Sequence, residues 1–161
     1  MKLINDDNIV IFLGKNYLNN IDITDKVKIE TSVLALINKI KTKYNLDFSG
    51  YYNADLYKDD NYGIIISIKK EQLEYLEYFN NQLELNVEVI EDAFLYKVED
   101  IFKINPQLLK KFIIYKIKDN IYLKAKDKIS NIELGMILEN STIIYGREAR
   151  NIIYKSKIVK V

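Results

Sequence analysis

Alternation of apolar and polar residues is clearest between Phe48 and Lys70. Two alternating runs flank Asp59-Asp60-Asn61, which fits a three-residue hairpin loop whose last residue takes the left-handed conformation that Asn tolerates. This register pairs Leu56 with Ile64, Ala54 with Ile66 and Tyr52 with Ile68 on one face. Tyr51, Asn53, Asp55 and Tyr57 lie on the other with Gly63, Ile65, Ser67 and Lys69. A four-residue loop would bury Asp55 among isoleucines, and an unpaired buried carboxylate is costly. The hairpin therefore predicts an antiparallel sheet covered on the face of Tyr52, Leu56 and Ile66.

Either side of the hairpin the pattern changes period. Ile9 to Leu13 reads as a buried strand ended by Gly14. Val33, Leu36, Ile37, Ile40 and Tyr44 follow helical spacing, so a helix is predicted over about 25–44, capped by Thr24 or Asp25 and ended by Asn45. Glu71 to Asn80 predicts a short helix, and Leu85, Val87 and Val89 a half-buried strand. Phe94 to Val98 predicts one more strand. Strand, helix, strand, strand, helix, strand is the order of a ferredoxin-like split βαβ fold, with two helices on one sheet face. The fold class expected is α+β, with residues 1–100 as an acidic ferredoxin-like domain and 101–161 as a basic α/β annex.

The annex has its own signals. Asn105-Pro106 fits a helix start with Pro at the first helical position. A Lys118-Asp119-Asn120 loop would join strands Phe112–Lys118 and Ile121–Lys126. This register puts Ile113, Tyr115 and Ile117 on one face, and Lys116, Tyr122, Lys124 and Lys126 on the other. Ser130 or Asn131 is placed to cap a helix carrying Ile132, Met136 and Leu138. Ser141 to Tyr145 reads as a strand. Arg147 to Lys157 reads as a helix, with a strand from Ile152 as the alternative.

Composition narrows the chemistry. The chain has no His and no Cys, which removes the commonest general base, thiolate nucleophiles, disulfides and most transition-metal sites. Gly14-Lys15 lacks the spacing of a phosphate-binding loop. No apolar run reaches membrane-spanning length and the first residues turn acidic early, so a cytoplasmic protein outside the membrane is expected. Ile, Lys, Asn and Tyr supply 79 of the 161 residues. Their codons are AT-rich, which points to a low-GC bacterial genome. The formal charge is +1, but residues 1–100 carry −7 and residues 101–161 carry +8.

Three groups of residues are candidates for function. Asp55, Asp59 and Asp60 are the carboxylates that could hold Mg²⁺ for a metal-dependent enzyme, although turn formation already accounts for Asp59 and Asp60. Lys116, Lys124 and Lys126 with Tyr122, together with Lys110, Lys111, Lys118 and Lys128, form a basic group suited to an acidic protein or a nucleic acid backbone. Tyr51 and Tyr57 lie on the outward face of the central hairpin. Ile11-Phe12-Leu13-Gly14 and Asn61-Tyr62-Gly63-Ile64-Ile65-Ile66-Ser67-Ile68 resemble the first- and third-strand motifs of RNA-recognition-motif domains, which implies base stacking on the sheet. The chain departs from that motif at Asp60, where a Lys or Arg belongs, and at Ile64, where a second aromatic belongs. The reading favoured by elimination and by charge is a non-enzymatic regulatory or adaptor protein without cofactor or metal. Its expected partner is a protein, self-association included, with nucleic acid binding through the basic annex as the alternative.

Overall fold

The computed structural model describes residues 2–5, 8–21, 24–47, 49–71, 83–91 and 94–160. It is α+β with two five-stranded sheets, and it divides into two compact units. One comprises Met1–Lys58 and Gly63–Ile90, the other Asp59–Tyr62 and Glu91–Val161.

The first unit holds β1 (Lys2–Asn5), β2 (Asn8–Gly14), α1 (Lys26–Tyr44), β3 (Gly50–Asp59), β4 (Gly63–Lys70) and β5 (Leu83–Glu91), with strand order β1-β2-β4-β3-β5. β2 pairs antiparallel with β4 from Asn8↔Lys69 to Gly14↔Gly63. Because β4 is the returning arm of the β3 hairpin, β2 and β3 flank it and run the same way. This is one split βαβ unit.

The hairpin faces are those expected from the alternation. Tyr52, Ala54, Leu56, Ile64, Ile66 and Ile68 are buried together with Ile9 and Ile11, and Ile29, Val33 and Ile37 of α1 close the core over them. On the opposite face Tyr51, Asn53, Asp55 and Tyr57 are half-buried, although Ile65 there is fully buried. Asp25 caps α1 by accepting from the Val27 N–H at 2.9 Å, and Asn45 closes it at φ 51°. Gly63 has φ 126°, and a Cβ there would overlap the Leu13 carbonyl oxygen, so β2 approaches the hairpin end only because no side chain intervenes.

Two expectations are corrected. A ferredoxin-like sheet interleaves two βαβ units and sets the last strand beside the first. Here β5 lies beside β3, and the edge next to β2 is taken by β1, a strand the pattern did not announce. β6 (Phe94–Val98) joins the second sheet and not the first. The helix expected over Glu71–Asn80 lies, beyond Glu71, outside the described residues.

The second unit continues with α2 (Pro106–Leu109), β7 (Phe112–Ile117), β8 (Asn120–Ala125), α3 (Asn131–Leu138), β9 (Ser141–Tyr145), α4 (Gly146–Lys155) and β10 (Lys157–Val159). The order is β10-β7-β8-β6-β9, every neighbouring pair antiparallel. This sheet is covered on both sides. Tyr96, Phe112, Ile114 and Leu123 pack with Leu108 and Leu109 of α2 and Leu134 and Ile137 of α3. Leu95, Tyr115 and Tyr122 pack under Ala149 of α4. Among the described residues no helix is long and apolar enough to cross a membrane.

Caps fix the helix starts. Asn105 accepts from the Gln107 N–H at 2.8 Å, ahead of Pro106. Ser130 and Glu133 form a reciprocal capping box, and Glu133 also meets Lys111 at 2.6 Å. The buried side of α3 is Leu134 and Ile137, while Ile132 and Met136 are exposed, contrary to expectation. α3 is apolar nearly all round, so spacing alone does not choose its inner face.

Leu56→Ala is expected to cost about 2–5 kcal/mol by leaving a cavity in the first core, measured by denaturant unfolding. Asp55→Ala, on the opposite face, is expected to change stability little. The Lys111 hydrogen bond, and then the Ser130 backbone, hold Glu133 below its ordinary carboxylate pKa. Its contribution is complete above that ordinary value and is lost as pH falls through the lowered one. Glu133→Gln should therefore lower the melting temperature at neutral pH, and the gap from the unaltered protein should close in acid.

Candidate functional site

The basic face predicted from the annex is rearranged by one turn. β7 and β8 are joined by two residues, Lys118 and Asp119, and Lys118 takes the left-handed conformation at φ 50°. Asn120 joins β8 opposite Ile117, so the register runs Tyr115↔Tyr122, Ile114↔Leu123 and Ile113↔Lys124. The three-residue loop expected here would have shifted every pair by one. As a result Lys116 faces away from Tyr122 and Lys124. Tyr122 is buried beneath α4, Lys124 is half-buried, and Lys116 and Lys126 are exposed.

Lysines converge instead around β10. A groove of about 600 Å³ is lined by Lys116, Lys118, Lys155 and Lys157 around Ile117, Ile158 and Val159. A second, of about 500 Å³, shares Ile158 and Val159 and is lined by Lys110, Lys126 and Lys160 with Leu109, Phe112, Ile113 and Ile114. Among the described residues the two linings together contain seven lysines and no acidic residue. Among the described residues none of the seven forms an ion pair. Their floor is apolar, and Ile158 is 64% exposed.

β10 is the last strand of its sheet, and its three residues are all exposed. Lys157 stands directly opposite Lys116. Like charges opposed across strands destabilise a sheet by a few tenths to about 1 kcal/mol. Fold stability gives no reason for this pair. Lys155, Lys157, Ile158 and Lys160 are functional candidates that the sequence reading passed over, having weighed a helix to Lys157 against a strand from Ile152. The signal present in the sequence was the cluster Lys155-Ser156-Lys157-Ile158-Val159-Lys160, three lysines around two apolar β-branched residues.

A different cavity, of about 510 Å³, opens where the hairpin tip Asp59–Tyr62 packs within the second unit. Asp59, Asp60 and Asp127 line it together with Lys124, Lys126 and Lys128. The tip is pinned in place. Asp59 accepts from the N–H groups of Asn61 and Tyr62 at 2.9 and 2.8 Å, closing the turn. Asn61 accepts from the Ile129 N–H at 2.9 Å and donates to the Asp127 carbonyl at 3.4 Å. Tyr62 packs on Phe94 with ring centroids 5.8 Å apart. Tyr96 lines this cavity, and among the described residues its buried hydroxyl has no hydrogen-bond partner. Burial, and then the nearby Asp59 charge and Tyr62, push its pKa up, so it stays protonated.

The remaining candidates do not assemble into a site. Asp55 belongs to the first unit and Asp59 and Asp60 to the second, with Asp59 committed to its turn. Among the described residues no three acidic side chains are grouped to hold a metal ion. Tyr51 and Tyr57 are half-buried in the first unit, near a polar ladder in which Asn86 donates to Asn53 and Asn53 donates to Glu71. Of the residues resembling RNA-recognition motifs, Ile64 is fully buried and Tyr62 is packed on Phe94, so neither presents a stacking surface.

The charge split also changes when counted by unit. The first unit has 10 Lys against 12 acidic residues, and the second has 14 Lys and Arg against 11. The −7 and +8 expected across position 100 become −2 and +3, because acidic residues at 59–60 and 91–100 belong to the second unit. The positive character is local to the β10 edge. Comparison with protein-family models, with curated proteins and with solved structures gives no match to this chain.

Lys157→Glu should turn a repulsive cross-strand pair into an attractive one and raise the melting temperature slightly, by about 0.2–1 kcal/mol of stability. Tyr96→Phe removes a buried hydroxyl that has no partner among the described residues. It is expected to preserve or raise stability in a denaturant titration, since an unsatisfied buried polar group costs about 1–3 kcal/mol.

Proposed function

We propose that this chain is a non-enzymatic adaptor that binds an acidic segment of a partner protein in the groove along β10. The observation that carries the reading is the lining of the two grooves that share Ile158 and Val159, which together hold seven lysines and, among the described residues, no acidic one. Acidic side chains of an alternating segment meet Lys157 on one face while its apolar ones cover Ile158 on the other. The exposed backbone of an edge strand favours a protein segment that can pair with it over a nucleic acid that cannot. The absence of His and Cys from the sequence is in keeping with binding rather than catalysis.

The test is fluorescence anisotropy with a labelled extended peptide of alternating Glu and Val, set against a single-stranded oligothymidine of equal charge. The peptide should bind, and binding should weaken as salt screens the lysines beyond a Debye length of about 8 Å at physiological ionic strength. The triple change Lys116→Glu, Lys155→Glu and Lys157→Glu should abolish binding while leaving the melting transition intact, since all three side chains are exposed. Full binding by the folded triple variant would remove the groove as the site. Tighter binding of the oligothymidine would overturn the protein-partner reading.

A further inference from the structure

We propose that the groove along β10 receives β5 of a second copy of this chain, joining copies edge to edge. This rests on the reading of the groove as a site for acidic segments, and it supplies the segment.

β5 is the last strand of the first sheet, as β10 is of the second. Its sequence, Leu-Glu-Leu-Asn-Val-Glu-Val-Ile-Glu, alternates apolar and polar or acidic residues over most of its length and contains no lysine. Val87 is buried, and Leu85 and Val89 pack against the first core. Asn86 and Glu88 are exposed, and the Asn86 amide bonded to Asn53 at 3.4 Å fixes which side they occupy.

The two edges match in register as well as in charge. Residues opposed across a strand pair share a face. On β10, Lys157 shares a face with Lys116, and Ile158 shares the other with Tyr115. Setting Glu88 of one copy opposite Lys157 of another therefore sets Ile158 opposite Val87 or Val89, whichever way the strands run. A slip of one residue would put Glu88 against Ile158 and a valine against Lys157, so the alternation defends the register.

Like edges do not match. Two β10 edges bring two sets of lysines together, and two β5 edges bring two sets of glutamates together. The contact is thus heterologous, and one copy presents both halves of it. Such contacts grow into open chains of subunits unless the rotation closes. β9, the other edge of the second sheet, reads Ser-Thr-Ile-Ile-Tyr and offers no charge to attract β5.

The test is sedimentation velocity on the full chain over a concentration series at low and high salt. Association is expected at low salt and its loss at high salt. Lys157→Glu alone and Glu88→Lys alone should each weaken association about tenfold or more, because like charges then oppose across the strand pair. The double variant carrying both changes should recover it. Melting curves verify that each variant is folded, and both altered side chains are exposed. A chain that stays monomeric at low salt overturns the proposal, as does a folded double variant no better associated than the single ones. If the chain is monomeric and the alternating Glu-Val peptide still binds, the groove reading stands and only the second-copy occupant is lost. If the peptide also fails to bind, both readings fall together.

Discussion

A sheet with helices on both faces has no polar face left, so its charge must go to its rim. The second unit is built under that constraint. β7 and β8 bury Phe112, Ile114 and Leu123 on one side and Tyr115 and Tyr122 on the other. The lysines that alternate with them are pushed to strand ends, turns and edges. Lys116, Lys118, Lys155 and Lys157 gather where β7, α4 and β10 meet around Ile158. The basic groove follows from the layering as much as from the lysine content.

The same constraint decides what could be seen in the sequence. The β3–β4 hairpin is buried heavily on one face, so its alternation fixed the core face of Leu56 and Ile66 in advance. The caps were legible to within one residue, at Thr24 or Asp25, at Asn105-Pro106 and at Ser130 or Asn131, because each is local chemistry between a side chain and backbone N–H groups two or three residues on; Asp25, Asn105 and Ser130 are the residues that bond. The β7–β8 register was not plain. Phe-Ile-Ile-Tyr-Lys-Ile is apolar toward both faces, and such a strand carries no alternation to choose one pairing over another. Its turn is set by Lys118 in the left-handed conformation, a residue type with no preference for it. Of the residues singled out for the basic group, Lys110, Lys116, Lys118 and Lys126 line the grooves, whereas Tyr122 is packed under α4. β6 was legible as a strand and illegible as a member of its sheet, since pairing with β8 and β9 is made by residues more than twenty positions away.

Edge strands commonly carry lysines to keep other chains from pairing with them. In this protein that device coexists with an apolar strand surface at Ile158 and Val159, exposed by 64% and 39%. Positive charge repels another basic edge while leaving an acidic one attracted. One set of side chains thus both forbids and selects, which is how specificity arises from a difference of affinities.

Asp59–Tyr62 belongs to the second unit although the strands that carry it, up to Lys58 and from Gly63, belong to the first. The polypeptide therefore crosses the division three times, at Asp59, at Gly63 and at Glu91. No single cut of the chain separates the units. A fragment beginning at Glu91 would lack the Asn61 side chain that satisfies the Ile129 N–H, and the Tyr62 ring that packs on Phe94. A fragment ending at Ile90 would carry a four-residue turn stripped of those partners. During synthesis the turn emerges long before the residues it pins, so completion of the second unit waits on its own C-terminal half. The two units are separate in their cores and shared in their covalent path, and evolution cannot exchange one for another by simple fusion.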